Sequence, residues 1–267
     1  MTTGLVRTGV AVVLSLGLVR CGNGMGQDSL DLSSTREQLV NAVPDVRERH
    51  PRVCTFVAEL FPGGPTGVGC TATFIARNAV VTAAHCSQGF PVNPGLNCDA
   101  VVGPDSARMP GHYVVHPDNT GSLETIGSDP HDLAVFVLDA PVKSARLARL
   151  PWTREADVDD DDDVTVVGYG APGPFDPSHF LEFLLEPKTR RVGRTRIDAI
   201  TPDYLQTGAH PTVGCAADSG GPLLVGRASS LLLGTLQVAD CVAFSQYVRL
   251  DTPAARSFLE QFVTKHD

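Results

Sequence analysis

In the stretch Cys215-Ala216-Ala217-Asp218-Ser219-Gly220-Gly221-Pro222 one serine stands in a glycine-rich turn, beside an aspartate and close to a cysteine. Glycines allow the tight backbone turns that expose a hydroxyl and aim N–H groups at whatever that hydroxyl attacks. A serine hydroxyl is a poor nucleophile at neutral pH, so it needs a base within hydrogen-bond reach. Upstream, Thr82-Ala-Ala-His-Cys86 offers a candidate base and His131-Asp-Leu-Ala-Val135 a candidate carboxylate. Histidine titrates near neutrality, so it accepts the serine proton and later returns it to the leaving group. A buried aspartate beside it fixes the imidazole tautomer and stabilises the imidazolium that forms.

Together the three segments resemble the active-site motifs of the chymotrypsin/trypsin-like serine peptidase family, in that family's chain order of His, Asp, Ser. Subtilisin-like and α/β-hydrolase enzymes carry the same residues in other orders. The resemblance extends from about Leu39 to the C-terminus. It implies an all-β, chymotrypsin-like fold: two six-stranded antiparallel β-barrels, a cleft between them and a C-terminal helix. It also implies a serine endopeptidase with Ser219 as nucleophile, His85 as general base and acid, and Asp132 as orienter. The N–H groups of Ala217 and Ser219 would form the oxyanion hole. Active relatives usually carry glycine at the position of Ala217, so a catalytically weak homologue that binds proteins through the same cleft is the alternative.

Further roles follow from the same resemblance. Cys70 with Cys86 and Cys215 with Cys241 match family disulfides, which leaves Cys54 and Cys98 for a third bridge. Leu39-Val-Asn-Ala42 resembles the start of the mature family chain, whose new α-amino group pairs with the carboxylate at the position of Asp218. The base of the substrate pocket falls on Val213, where a trypsin-like enzyme carries aspartate. Valine leaves a buried cation without a counter-charge, so small or medium apolar P1 side chains are expected. The facing wall is expected at Thr235, Leu236 and Gln237, with Gln237 narrowing the pocket. No cofactor or metal is implied. The implied partners are a protein or peptide substrate and a possible protein inhibitor.

The strand pattern agrees with a β-rich domain. Cys54–Ala58, Thr71–Ile75, Ala79–Thr82, Leu133–Leu138 and Val164–Val167 are short β-rich runs. Clusters such as Pro62-Gly-Gly-Pro65 and Ala171-Pro-Gly-Pro174 separate them, which is the pattern of a barrel or sandwich. A helix is expected over Pro253–Lys265, with Ala254, Phe258, Phe262 and Val263 on its apolar face.

Before residue 39 the chain reads differently. Arg7 followed by the apolar run Val10–Val19 reads as a signal peptide over residues 1–20, and residues 21–38 as a linker or propeptide. The peptidase domain is expected over residues 39–267. Export would place the seven cysteines where they can pair, with a secreted, periplasmic or lipid-anchored location. Membrane attachment is expected only if Cys21, which follows Arg20, is lipidated. A net charge of −9 argues against nucleic acid and against anionic membrane surfaces. The run Asp159–Asp163 is expected to be a solvated turn. Arg190, Arg191 and Arg194 are expected as exposed charges on a strand, and Gly168-Tyr-Gly170 as packing.

Overall fold

The computed structural model describes residues 39, 41–45, 47–153, 158–171, 173, 176–226 and 230–263. The expected signal peptide, linker, Cys21 and Val40 lie outside them. Twelve strands make two barrels. The first contains β1 (Val53–Glu59), β2 (Thr66–Ala76), β3 (Ala79–Thr82), β4 (Val92–Asn97), β5 (Met109–Val115) and β6 (Ala134–Leu138). They pair antiparallel in the order β1-β2-β3-β6-β5-β4, and β4 closes back on β1. The second contains β7 (Asp163–Gly168), β8 (Arg191–Ile200), β9 (Tyr204–Gly208), β10 (Pro222–Val225), β11 (Leu232–Ala239) and β12 (Phe244–Arg249). Its order, β7-β8-β9-β12-β11-β10, closes through β10 and β7 and repeats that of the first barrel. A two-residue strand, Val43–Pro44, adds to β8.

Successive residues of a strand face opposite sides, and here the two sides feed different cores. Phe56, Ala72, Phe74, Val80, Leu96 and Phe136 fill the first barrel, with Phe56, Tyr113 and Phe136 in contact at ring separations of 5.0–5.2 Å. Val164, Val166, Ile197, Leu205, Leu223 and Tyr247 fill the second, joined by Leu39 and Ala42. The other face of β1, β2 and β3 (Val53, Val57, Ile75, Val81) joins Tyr169, Leu224, Leu232 and Leu250 in a third cluster linking the barrels. Closure pairs each barrel strand on both sides, and β1, β2 and β3 are buried on both faces, whereas β5 and β8 keep partly or fully exposed positions.

A polar strut crosses the same junction. Arg190 is 1% exposed and pairs with Asp45 at 3.1 Å. Its Nη1 donates to the Cys98 carbonyl (2.7 Å) and to the Tyr169 hydroxyl (3.2 Å) and lies 3.3 Å from the Val53 carbonyl. Asp45 also accepts from the backbone N–H groups of Arg49 and His50. The expectation of three exposed arginines therefore fails at Arg190 and in part at Arg191, which is half-buried, and holds at Arg194. A local reading could not supply the partner of Arg190, which lies 145 residues away.

The C-terminal helix, α1 (Pro253–Leu259), is shorter than expected and presents Ala255, Phe258 and Leu259 inward, while Ala254 is exposed. Thr252 caps it by accepting from the Ala255 N–H, and Pro253 occupies the first turn, where a missing N–H costs nothing. Asp159–Asp162 form the expected exposed turn before β7.

Candidate active site

His85 lies in the turn after β3, where Thr82, whose hydroxyl donates to the Thr71 carbonyl at 2.8 Å, anchors the strand end. Its backbone N–H donates to one carboxylate oxygen of Asp132 at 2.9 Å, and its ring Nδ1 lies 2.7 Å from the other. One carboxylate thus sets both the backbone and the ring of the histidine. The Asp132 side chain is 3% exposed and that of His85 15%, so the bond is shielded while the ring still reaches solvent. A hydrogen bond to a carboxylate is about twice as strong as a neutral one.

Asp132 sits at the end of the loop 116–132 between β5 and β6. Asp129 organises this loop: its carboxylate accepts from Asn119, from the Thr120 N–H and from the His131 N–H, and its carbonyl accepts from the Asp132 N–H at 3.2 Å. Neighbouring His131 turns away and stacks on His116, with ring centroids 4.7 Å apart. His116, His131 and Asp118 could together offer three metal ligands. However, His116 Nδ1 already accepts from the Asp118 N–H, and the Ala254 backbone engages the same ring. The donor set does not fit a metal centre.

The serine turn is held from the first barrel. The Thr71 N–H donates to the Ser219 carbonyl at 2.7 Å, and the Thr71 hydroxyl donates to the Ala217 carbonyl at 3.0 Å. Gly220, at φ +83°, passes so close to Thr71 that a Cβ would lie 2.1 Å from the Thr71 carbonyl. The Cys70–Cys86 disulfide ties the residue before Thr71 to the residue after His85. The Cys86 sulfur lies 3.7 Å from the Ser219 carbonyl, which brings the serine and histidine turns together. Thr71 drew attention in the sequence only as part of a β-rich run.

Ala217 adopts φ +71°, in the left-handed region where a Cβ costs about 1–2 kcal/mol. Between Ala217 and Ser219, Asp218 is 2% exposed and accepts from the N–H groups of Gly170 (2.8 Å) and Cys215 (3.0 Å). Burial pushes this carboxyl up to about 7, against the two hydrogen bonds and the charge of Arg191. Gly168 and Gly170 pack directly on it: a Cβ at either would lie 2.0–2.2 Å from a carboxylate oxygen. The Tyr169 hydroxyl between them donates to the Asp99 carbonyl at 2.8 Å and lies 3.2 Å from that of Val53. The Gly-Tyr-Gly segment thus cradles Asp218 on one side and holds the first barrel on the other.

Leu39 is 2% exposed, in the core of the second barrel. Asn41 takes φ +71°, which asparagine tolerates well, and its side chain donates to the Pro211 carbonyl. Val213 is 1% exposed, and the next N–H, of Gly214, donates to the Ser245 hydroxyl at 2.9 Å. Thr235, Leu236 and Gln237 are 1%, 3% and 1% exposed, whereas Val238 and Ala239 are half-buried. Gln237 does not turn towards open space; its amide donates to the Asp129 carbonyl at 2.7 Å. The other two disulfides, Cys54–Cys98 and Cys215–Cys241, are formed.

The geometry can be set beside known proteins. The family model described as trypsin matches residues 45–243. A trypsin of Saccharopolyspora erythraea is 27% identical over 165 residues, 58% of this chain and 70% of that protein. Among solved structures, neuropsin, a serine protease expressed in the limbic system of mouse brain, aligns with a TM-score of 0.62 at 16% identity, covering 83% of this chain and 98% of that one. Human heparin binding protein aligns with a TM-score of 0.61 at 17% identity, covering 85% and 97%. At these identities the solved structures support the fold, and the family match covers most of the chain. The chain belongs to the trypsin family and is a serine-type endopeptidase, a hydrolase.

Proposed function

We propose that the protein is a secreted endopeptidase acting through an acyl-enzyme on Ser219. The observation that carries this reading is the double engagement of Asp132 with His85, beside a serine turn hung from Thr71. In acylation Ser219 Oγ attacks the scissile carbonyl, and His85, its Nδ1–H held by Asp132, takes the proton and passes it to the leaving amine. Water then repeats the sequence with His85 as base. The N–H groups of Ala217 and Ser219 hold the oxyanion; each such donor contributes roughly 3 kcal/mol of transition-state stabilisation. The tie from Thr71 to the Ala217 carbonyl supports this peptide in its left-handed conformation.

The pocket base is Val213, with the Ser245 hydroxyl bound to the adjacent Gly214 N–H. Because Gln237 is buried, the accessible wall is Val238–Ala239 in place of the expected Thr235–Gln237. Neither base nor wall carries a cation partner, which favours small or medium apolar P1 residues. Activation follows cleavage before Leu39: the new α-amino group pairs with Asp218, a buried carboxylate with no ion-pair partner among the described residues. Its substrates are proteins or peptides. Three disulfides suit an oxidising compartment.

Labelling with a fluorophosphonate probe tests the reading, on protein processed to begin at Leu39, with Ser219→Ala and the unprocessed chain as controls. Labelling confined to the processed chain with Ser219 intact is the expected result. Absence of labelling in the correctly disulfide-bonded processed chain would transfer the assignment to a protein-binding homologue.

A further inference from the structure

Gln237 is the extra residue of a β-bulge. On β11, Leu236 opposes Tyr247 and Val238 opposes Gln246, so Gln237 has no partner across the ladder. Bulges re-aim a side chain, and this one sends a long amide into the protein. There it is the inner member of a buried chain. Gln206 Nε2 donates to Gln246 Oε1 at 2.8 Å, directly across the β9–β12 pair. Gln246 Nε2 donates to Gln237 Oε1 at 3.0 Å and to the Gly127 carbonyl at 2.8 Å. Gln237 Nε2 then donates to the Asp129 carbonyl at 2.7 Å. Both backbone carbonyls are pure acceptors, so the orientation of the two inner amides is set. Gln246 and Gln237 are 5% and 1% exposed, where an unmade hydrogen bond costs about 1–3 kcal/mol.

The far end of the chain is the loop that carries Asp132. The Asp129 carbonyl accepts both the Gln237 amide and the Asp132 N–H. We infer that Gln237, Gln246 and Gln206 form a positioning relay through which the second barrel holds Asp132 in register with His85. It rests on the reading of Asp132 as orienter of His85. The relay carries side-chain amides of the second barrel onto two backbone carbonyls of the loop that holds Asp132, and it gives the bulge a function apart from the substrate pocket. Gln237 is a positioning residue here; it touches neither substrate nor the reacting atoms.

The test compares the processed chain with Gln237→Ala, Gln237→Glu and Gln206→Ala. Each is followed by peptide hydrolysis and by the NMR signal of the His85 Nδ1–H. Loss of orientation near the reacting groups costs up to about 100-fold. For Gln237→Ala we expect kcat to fall about 10- to 100-fold, KM to stay within about threefold, and the Nδ1–H signal to shift or broaden. Gln237→Glu keeps the shape but cannot donate to the Asp129 carbonyl, so it should behave like the alanine variant. If Gln237→Ala fails to fold, Gln206→Ala at the outer, half-buried end should give the same signal change and a smaller loss. A wild-type kcat and signal in Gln237→Glu, or a change confined to KM, would overturn the relay. Should the wild-type chain neither label nor turn over, the catalytic reading fails by itself. The Nδ1–H signal still decides the relay, because it reads the Asp132–His85 contact without turnover.

Discussion

The two barrels repeat one strand order, yet they prepare their contributions to the cleft in different ways. In the first, His85 and Asp132 belong to the same barrel and are joined by two hydrogen bonds, of 2.9 and 2.7 Å, to one buried carboxylate. In the second, the Ser219 turn combines a left-handed alanine, a left-handed glycine and a buried carboxyl pushed up to about 7. The first half is joined directly, side chain to side chain and side chain to backbone. The second is set by what reaches it from elsewhere: Thr71 from the first barrel, Gly168–Gly170 from β7 and its exit and, on our reading, the new terminus at Leu39. A serine turn under strain with a costly carboxyl is a natural place for an activation step, because a small free-energy input there has a large structural effect.

The most severe way to test the prepared half is Asp132→Asn. The amide cannot accept from both His85 groups, and activity of the processed chain should fall by about 10⁴-fold in kcat with folding intact. A loss of less than tenfold would show that the first half does not depend on this carboxylate. Next comes the strut that joins the halves. Asp45→Ala leaves Arg190 buried with its charge unpaired, which should destabilise the protein by about 3–5 kcal/mol in urea denaturation. A change below about 1 kcal/mol would mean that the remaining acceptors of Arg190 suffice.

The pH dependence of stability sharpens the contrast from the other side. Asp218 holds its proton more tightly in the folded unprocessed chain, about 7 against 3.8. Its stabilising contribution is complete below about pH 3.8 and is lost as pH rises through about 7. From this group the unprocessed chain should therefore lose about 3 kcal/mol between pH 5 and pH 8. Beginning the chain at Leu39 supplies a cation to the carboxylate, so that loss should vanish. Equal pH profiles for the two forms would detach Leu39 from Asp218. The smallest expected effect is at Ala217. Glycine takes φ +71° freely, so Ala217→Gly should stabilise the protein by about 1 kcal/mol and change kcat/KM by less than about tenfold. A gain of many orders of magnitude would mean that the native methyl disables the oxyanion hole.

Much of this molecule was legible in its sequence for a definite reason. The candidate catalytic motifs are contiguous, so Thr82–Cys86, His131–Val135 and Cys215–Pro222 can each be read locally, and their order points to the fold. The β-rich runs coincide with β1, β2, β3, β6 and β7 because strands buried on both faces carry a dense apolar signal. All three disulfides join the expected pairs. The failures share another cause. Arg190 was read as exposed because its charge carries no hint of Asp45. The burial of Gln237 is not legible in the sequence because a bulge, which reverses the facing of a side chain, leaves no mark in composition. The helix face shifted by one residue, from Ala254 to Ala255, since two neighbouring alanines are indistinguishable until the helix docks.

The sequence by itself determined the chemistry on offer: a serine, a histidine and an aspartate in motifs that fold into turns, with cysteines spaced to hold those turns. The tertiary structure alone decided how these groups are held. Thr71 supports the serine turn, two glycines make room for Asp218, Arg190 bridges the barrels, and two of three linked glutamines reach the loop behind Asp132. Apart from the Gln246–Gln237 bond within one hairpin, these contacts join residues distant along the chain. Their hydrogen bonds gain strength only once burial has removed competing water, so they come into being with the fold.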